Sequence, residues 1–228
     1  MKILMTGGTG LIGSRFINDF KQHDYTVLSR SPHKAQKALP NNINIINDLS
    51  KLNDLNEFDA VINLAGEPIM DKRWSQRQKA KICQSRWHTT DKLVKLFAQS
   101  SQPPSVFISG SAVGVYGNRG EEYLIESQGV FERDFASRLC QRWESIASDA
   151  TDYARLVTLR TGIVLDAKGG ALGKMLPMFK LSLGGKIGDG QQFMPWIHIQ
   201  DMVNGIAFLL ENEACEGPFN MVSPHAVT

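Results

Sequence analysis

The sequence predicts an α/β fold: a doubly wound parallel sheet with helices on both faces, followed by a small C-terminal lobe that stops early. Three observations predict it. Short apolar runs alternate with longer helical patterns as far as Arg160, as expected for strands joined by crossover helices. The runs are apolar at successive positions, so each strand is buried on both of its faces. A glycine-rich segment also lies directly between the first strand and the first helix.

The expected strands are Ile3-Leu4-Met5, Tyr25 to Leu28, Ile43 to Ile46, Ala60 to Leu64, Val106-Phe107-Ile108 and Leu156 to Leu159. Between them the helical pattern covers Leu11 to Phe20, about Trp74 to Ala98, where Leu93, Leu96 and Phe97 share a face, and Phe131 to Ala147. Right-handed crossovers then set the hand of the sheet. After Arg160 the character changes. Gly162 to Gly190 is rich in glycine and reads as long loops with one short helix near Leu176 to Leu181. Pro195 to Ile199 reads as a strand, Asp201 to Leu210 as a helix and Pro218 to Met221 as a last short strand. The expected division is a nucleotide-binding domain over 1–165 and a partial substrate lobe over 166–228, with an exposed apolar face where the lobe stops.

Bulk properties exclude several classes. The chain has 228 residues, 42% of them hydrophobic and 21% charged, an ordinary globular composition. A net charge of +2 gives no reason to expect nucleic acid or an anionic membrane as partner. No apolar run reaches the roughly 20 residues that a spanning helix needs. The three cysteines, Cys83, Cys140 and Cys215, are far apart and odd in number, which argues against a disulfide framework. The five histidines show no metal-ligand spacing. The expected compartment is the reducing cytoplasm, and no metal is expected.

In Thr6-Gly7-Gly8-Thr9-Gly10-Leu11-Ile12-Gly13, residues Gly8, Gly10 and Gly13 have the G-x-G-x-x-G spacing. The first glycines permit a tight turn, Gly10 lets backbone approach a pyrophosphate, and Gly13 lets the helix pack on the sheet. The helix N-terminus supplies N–H groups and partial positive charge. With a strand before and a helix after, the segment predicts dinucleotide binding in a Rossmann-type domain, the contacts running over Gly7, Thr9, Gly10, Leu11, Ile12 and Gly13. After the second strand an acidic residue would hold the ribose 2′-OH and repel a 2′-phosphate. This chain has Ser29-Arg30-Ser31-Pro32-His33-Lys34 instead. Arg30 can stack on adenine and pair with a 2′-phosphate, so NADP(H) is the expected cofactor. The alternative is that Arg30 and Lys34 are solvated residues at the start of a helix.

Further motifs carry a family resemblance. Asn63-Leu64-Ala65-Gly66 resembles the Asn-x-Ala-Gly motif of short-chain dehydrogenases/reductases. Ser109-Gly110-Ser111 with Val115-Tyr116-Gly117, Leu159 to Val164 and Trp196 to Asp201 resemble elements of the extended, sugar-nucleotide-epimerase-like branch. Asn63 to Pro68 with Arg73-Trp74 and Ser85-Arg86-Trp87 is similar to one atypical subgroup, the "epimerase family" proteins, sometimes labelled cell-division inhibitors. The resemblance implies that Asp48-Leu49 contacts adenine, that Leu64, Ala65 and Gly66 line the ribose and pyrophosphate, and that Arg160 lies beside the nicotinamide. From the residues alone, Asp48 also suits a helix N-cap, and Asn63 to Gly66 a plain turn.

Active members use a Tyr-x-x-x-Lys pair, one helix turn apart, as proton donor and ribose clamp. The matching positions here read Asp134-Phe135-Ala136-Ser137-Arg138. Arg138 can hold the ribose, but guanidinium is a poor proton relay. The slot for the asparagine on the preceding helix holds Arg86. Ser111 remains as a substrate-orienting hydroxyl or a structural turn serine, and Tyr116 as a replacement acid or a packing tyrosine. Either Glu67, with Arg73, Arg86 and Arg160, forms a buried ion-pair network able to bind a substrate carboxylate or phosphate, or Arg73 and Arg86 are solvated charges on the long helix. His198 and Asp201 are candidate pocket walls, with Asp201 also suited to cap its helix. Two functions follow: an NADP(H)-dependent oxidoreductase or epimerase on a small substrate, or an NADP(H)-binding sensor or interaction protein without turnover. A homodimer is an admissible assembly for either.

Overall fold

A computed structural model describes residues 1–129, 134–186, 188–225 and 227–228. In chain order the elements are β1 (Lys2–Thr6), α1 (Leu11–Asp19), β2 (Asp24–Leu28), α2 (Pro32–Ala38), β3 (Asn44–Ile46), β4 (Ala60–Asn63), α3 (Gln76–Gln99), β5 (Val106–Ala112), α4 (Phe135–Ser148), β6 (Arg155–Thr161), β7 (Ile163–Asp166), α5 (Gly170–Lys180), β8 (Trp196–His198), α6 (Ile199–Glu211) and β9 (Gly217–Met221). Seven strands form one sheet in the order β3-β2-β1-β4-β5-β6-β9, and all its pairings are parallel. The fold is therefore the expected doubly wound, Rossmann-type α/β sheet. Strand order reverses between β1 and β4, which opens a crevice at their carboxyl ends, where such sheets bind ligands.

Alternation along the strands divides the core. Ile3 and Met5 of β1 face α1 and α6, joined by Phe16, Ile17, Met202, Val203 and Ile206. Leu4 faces the other way, toward Leu93, Leu96 and Phe97 of α3 and Ala147 of α4. Period-two alternation with apolar residues on both sides is what made the strands legible as unbroken apolar runs. Ser75 caps α3, its Oγ accepting from Gln78 N at 3.2 Å.

Beyond Arg160 the outcome is mixed. The loops expected over 162–190 contain β7, which pairs in parallel with β8 as a separate two-stranded sheet. The helix expected at 176–181 begins earlier, at Gly170, and continues through Pro177. The helix expected from Asp201 starts at Ile199, and His198 caps it instead of Asp201, its Nδ1 accepting from Gln200 N at 3.2 Å. Where a helix was expected from Phe131, α4 begins at Phe135, and residues 130–133 lie outside the described ones. The division at 165/166 does not follow the packing. Strand β9 extends the main sheet beside β6, and α6 shares the core of α1.

A buried polar chain ties the carboxyl ends of β1 and β4 to the helices. Thr6 Oγ1 donates to Asn63 Oδ1 at 2.6 Å and accepts from Ala65 N at 3.1 Å. Asn63 Nδ2 donates to Thr90 Oγ1 at 2.9 Å, and Trp143 Nε1 donates to the same oxygen at 2.8 Å. Thr90 in turn donates to Arg86 O at 2.8 Å. Thr6, Asn63 and Thr90 are wholly inaccessible to solvent, so every one of these groups depends on its partner. Thr90→Val keeps the shape but strands two buried donors. It is expected to lower unfolding free energy by about 2–4 kcal/mol in urea titration, while Thr90→Ser recovers most of that loss.

Candidate cofactor and substrate site

The loop after β1 is shaped by its glycines. Gly7 has φ +73°, and a Cβ there would sit 2.6 Å from both Leu64 C and Leu64 O. Only glycine lets the chain leaving β1 turn against the chain leaving β4. A Cβ at Gly13 would lie 2.5 Å from Gly7 O, so α1 rests directly on the loop. Gly10 is different: it is exposed, and a Cβ there would meet nothing nearer than Gly7 O at 3.2 Å. It caps α1 without a side-chain hydrogen bond, and no acidic residue occupies the first turn. A dinucleotide fits this cradle. The positive end of α1 opens without a side-chain cap, and the first-turn N–H groups of a helix are available to phosphate oxygens. Thr9 is exposed on the same loop, while Leu11 and Ile12 are half-buried. Leu11 also meets the turn between β7 and α5, where a Cβ at Gly169 or Gly170 would touch its side chain at 3.1 and 3.0 Å.

Beside the loop, Leu28, Arg30, Asn47, Asp48, Leu49, Thr89 and Lys92 line an open cleft of about 160 Å³. Arg30, Asp48 and Leu49 thus meet where the sequence places the adenosine. Asp48 is the cap that its residue type suits, and it lies in this cleft. It caps the 3-10 turn Leu49–Lys51, accepting from Ser50 N at 3.0 Å, and it pairs with Lys92 at 3.3 Å. The Ser50 N–H and then Lys92 hold its carboxyl below the usual aspartate value.

Leu64, Ala65 and Gly66 leave β4 along the crevice. A Cβ at Gly66 would lie 2.7 Å from Arg86 Cζ, so the buried guanidinium lies flat against this glycine. Arg86 Nη1 donates to Glu67 O at 3.1 Å and Ile82 O at 3.2 Å, and the group sits 5.3 Å from the Trp143 ring centroid. Burial pulls its pKa below the usual arginine value. The expected network of Glu67 with Arg73, Arg86 and Arg160 does not form. Glu67 meets Arg86 only through its carbonyl. Its carboxylate turns the other way, to Lys81 Nζ at 3.0 Å and Arg30 Nη1 at 3.9 Å. The Lys81 hydrogen bond is the main cause of a lowered Glu67 pKa.

Arg160 belongs to a separate cluster. Strand register sets Ser111 beside Arg160 and Arg160 beside Asn220. Ser111 Oγ donates to Glu144 Oε1 at 2.6 Å, and Arg160 grips the same carboxylate through Nε at 3.1 Å and Nη2 at 2.9 Å. Arg160 Nη1 donates to the Tyr116 hydroxyl at 2.8 Å, and that hydroxyl donates to Asn220 Oδ1 at 2.8 Å. Tyr116 is 2% exposed, Ser111 6% and Arg160 7%. Tyr116 is thus a packed tyrosine with its hydroxyl engaged in both directions. Against this cluster, burial and then Glu144 push the Cys140 thiol up to about 11.

Asp134, in the tyrosine position of the family pattern, is the N-cap of α4, its Oδ1 accepting from Ser137 N at 2.7 Å. Arg138 is exposed one turn later, and its backbone N–H donates to Asp134 O at 3.1 Å. His198 is exposed as the cap of α6, so its imidazole serves that helix and does not line a buried pocket. Among the described residues no group of three or more His, Cys, Asp or Glu is placed to hold a metal. No helix among them is long and apolar enough to cross a membrane.

The model of the NAD dependent epimerase/dehydratase family matches residues 3–221. The chain belongs to that family. It is 38% identical to the bovine and 36% identical to the human epimerase family protein SDR39U1, over the whole of this chain and 76% of each relative. A crystal structure of the human protein with NADPH superposes with a TM-score of 0.89 at 35% identity, covering 100% of this chain and 76% of that one. A nucleoside-diphosphate sugar epimerase from Corynebacterium glutamicum superposes at 0.80 with 31% identity over 47% of its length. UDP-glucuronic acid 4-epimerase from Bacillus cereus, at 0.82 and 20% identity, shares the fold. These matches bear out the atypical "epimerase family" branch of the short-chain dehydrogenases/reductases read from the motifs.

Lys81, Thr90, Glu144 and Asn220 were not read from the sequence. Each sits in a helix or strand with no local motif, and only the fold brings it to its partner.

Glu144→Ala leaves Arg160 buried without its counter-ion and is expected to cost about 3 kcal/mol in chemical denaturation. Ser111→Ala, which removes one hydrogen bond, costs about 1 kcal/mol. Because the folded pKa of Glu67 is depressed, its contribution to stability is present above the unfolded carboxyl value and is lost as pH falls through the folded one. Melting temperatures of wild type and Glu67→Gln, apart near neutrality, should converge in acid.

Proposed function

We propose that the protein binds NADP(H) along the carboxyl edge of the sheet and acts with it on a small-molecule substrate, as an oxidoreductase or an epimerase-like enzyme. The observation that carries this reading is the glycine cradle at Gly7, Gly10 and Gly13 after β1, together with a cleft at the end of β2 that holds Arg30 where an acidic residue would stand for NAD. The relative crystallised with NADPH supports it.

The pyrophosphate would rest on the N–H groups opening α1, from Thr9 to Gly13. Adenine would meet Asp48 and Leu49, the 2′-phosphate Arg30, and the ribose Leu64, Ala65 and Gly66. When bound, NADP(H) supplies hydride exchange with carbon. The protein's own contribution is orientation and charge. Ser111 gives its proton to Glu144, so toward a substrate hydroxyl its oxygen acts as an acceptor. Arg160 holds the Glu144 carboxylate in place. Arg138, at the start of α4, holds the ribose in this reading, and Arg86 contributes fixed positive charge beneath Gly66. The free cysteines suit a reducing, cytoplasmic setting.

One observation favours a second reading, in which the protein binds NADP(H) as a sensor without turnover. Both candidate hydroxyls, Ser111 and Tyr116, are committed to the Glu144–Arg160 cluster.

Fluorescence titration is expected to give NADPH at least roughly tenfold tighter than NADH, with Arg30→Ala removing most of the difference. Equal affinities, unchanged by Arg30→Ala, would refute the assignment. Stereospecifically deuterated NADPH, incubated with small carbonyl compounds and nucleotide sugars, should lose label to a true substrate. Ser111→Ala should slow that transfer on the order of a hundredfold. Binding without any transfer supports the sensor.

A further inference from the structure

We propose that Lys81 is a second ligand of the cofactor 2′-phosphate, set opposite Arg30 by the buried carboxylate of Glu67; this rests on the NADP(H) reading above. Glu67 is 9% exposed at its side chain and lies between two cations, Lys81 Nζ at 3.0 Å and Arg30 Nη1 at 3.9 Å. Both cations keep their solvent face, Lys81 at 50% and Arg30 at 82% exposure. One buried carboxylate is therefore shared by an exposed ammonium and an exposed guanidinium.

The charge balance favours an external dianion. One carboxylate against two cations leaves an excess positive charge, and Asp48, the acid sharing the cleft with Arg30, is paired with Lys92. A phosphate monoester carries enough negative charge to engage both cations without displacing Glu67. A ribose 2′-hydroxyl is neutral and gives an ammonium much less, so Lys81 separates NADP(H) from NAD(H). Glu67 is a positioning residue here. Lysine has a flexible stem whose ordering costs rotamer entropy, and the Glu67 contact meets part of that cost before the cofactor arrives.

The test is titration of the full chain with NADPH, NADH and 2′,5′-ADP, comparing wild type, Lys81→Met, Lys81→Arg and Arg30→Ala. Because Lys81 is half exposed, neither of its substitutions threatens the fold. Lys81→Met is expected to weaken NADPH and 2′,5′-ADP by roughly tenfold and to leave NADH unchanged, while Lys81→Arg stays near wild type. The dependence of NADPH affinity on salt should also flatten in Lys81→Met. If wild type prefers NADPH, Arg30→Ala abolishes the preference and Lys81→Met leaves it intact, the role of Lys81 is overturned and the NADP(H) reading stands. Equal binding of NADPH and NADH by wild type overturns both.

Discussion

The carboxyl edge of the sheet depends on Asn63. This side chain ends β4 with no access to solvent, and its amide must find both an acceptor and a donor inside the protein. Thr6 supplies one and Thr90 the other. The first fixes the end of β1 beside the end of β4, where Gly7 turns against Leu64. The second fixes α3 over the sheet, and through Trp143 it also fixes α4. Loop, crevice and both helices that wall the site are thus tied to one amide, and the alternative arrangements would leave buried polar groups unpaired.

Two ends of the crevice differ in physical character. At the end beside Arg30 the cations are exposed, and the two nearby carboxylates, Glu67 and Asp48, are each paired with a lysine. At the other end the polar groups are buried and satisfy one another. Ser111, Glu144, Arg160, Tyr116 and Asn220 come from β5, α4, β6, the turn after β5 and β9, and they bond to one another and, through Arg160 and Asn220, to Glu126 and Leu124. A bidentate arginine–carboxylate pair at such depth is stiff, because breaking either half leaves a buried charge. The first end leaves its cations open to solvent. The second is built to hold strands in register and to present a serine oxygen whose proton is already committed.

Membership of the NAD dependent epimerase/dehydratase family accounts for the cradle and the sheet, and the chain departs from the family pattern at the start of α4. Asp134 occupies the tyrosine position and works as a helix cap. The Asp134 side chain is engaged with the helix it caps and is no counterpart of the family's phenol, so the usual relay does not carry over to this chain. Arg138 stands where the family pattern has lysine, and a further, buried cation, Arg86, lies against Gly66.

From the sequence alone the fold and the cofactor end were legible, and for a local reason. Strand runs apolar on both faces, a glycine at each point of close approach, and the absence of a carboxylate after β2 are all encoded within a few adjacent residues. The glycines could be read because a Cβ at Gly7 or Gly13 collides with backbone. What Glu67, Arg160 and Tyr116 do was not legible, since their partners are Lys81, Glu144 and Asn220, set 14, 16 and 104 residues away. Glu67 could face Arg86 or Lys81 on the same helix, and only the direction of its side chain from the crevice decides for Lys81. Beyond Arg160, glycine-rich segments gave no periodicity to read, so β7 and the true start of α5 emerged only from pairing across the chain. Local sterics wrote the cradle into the sequence; the charges around it were paired by the tertiary structure, because which ion meets which depends on distances that only the folded sheet defines.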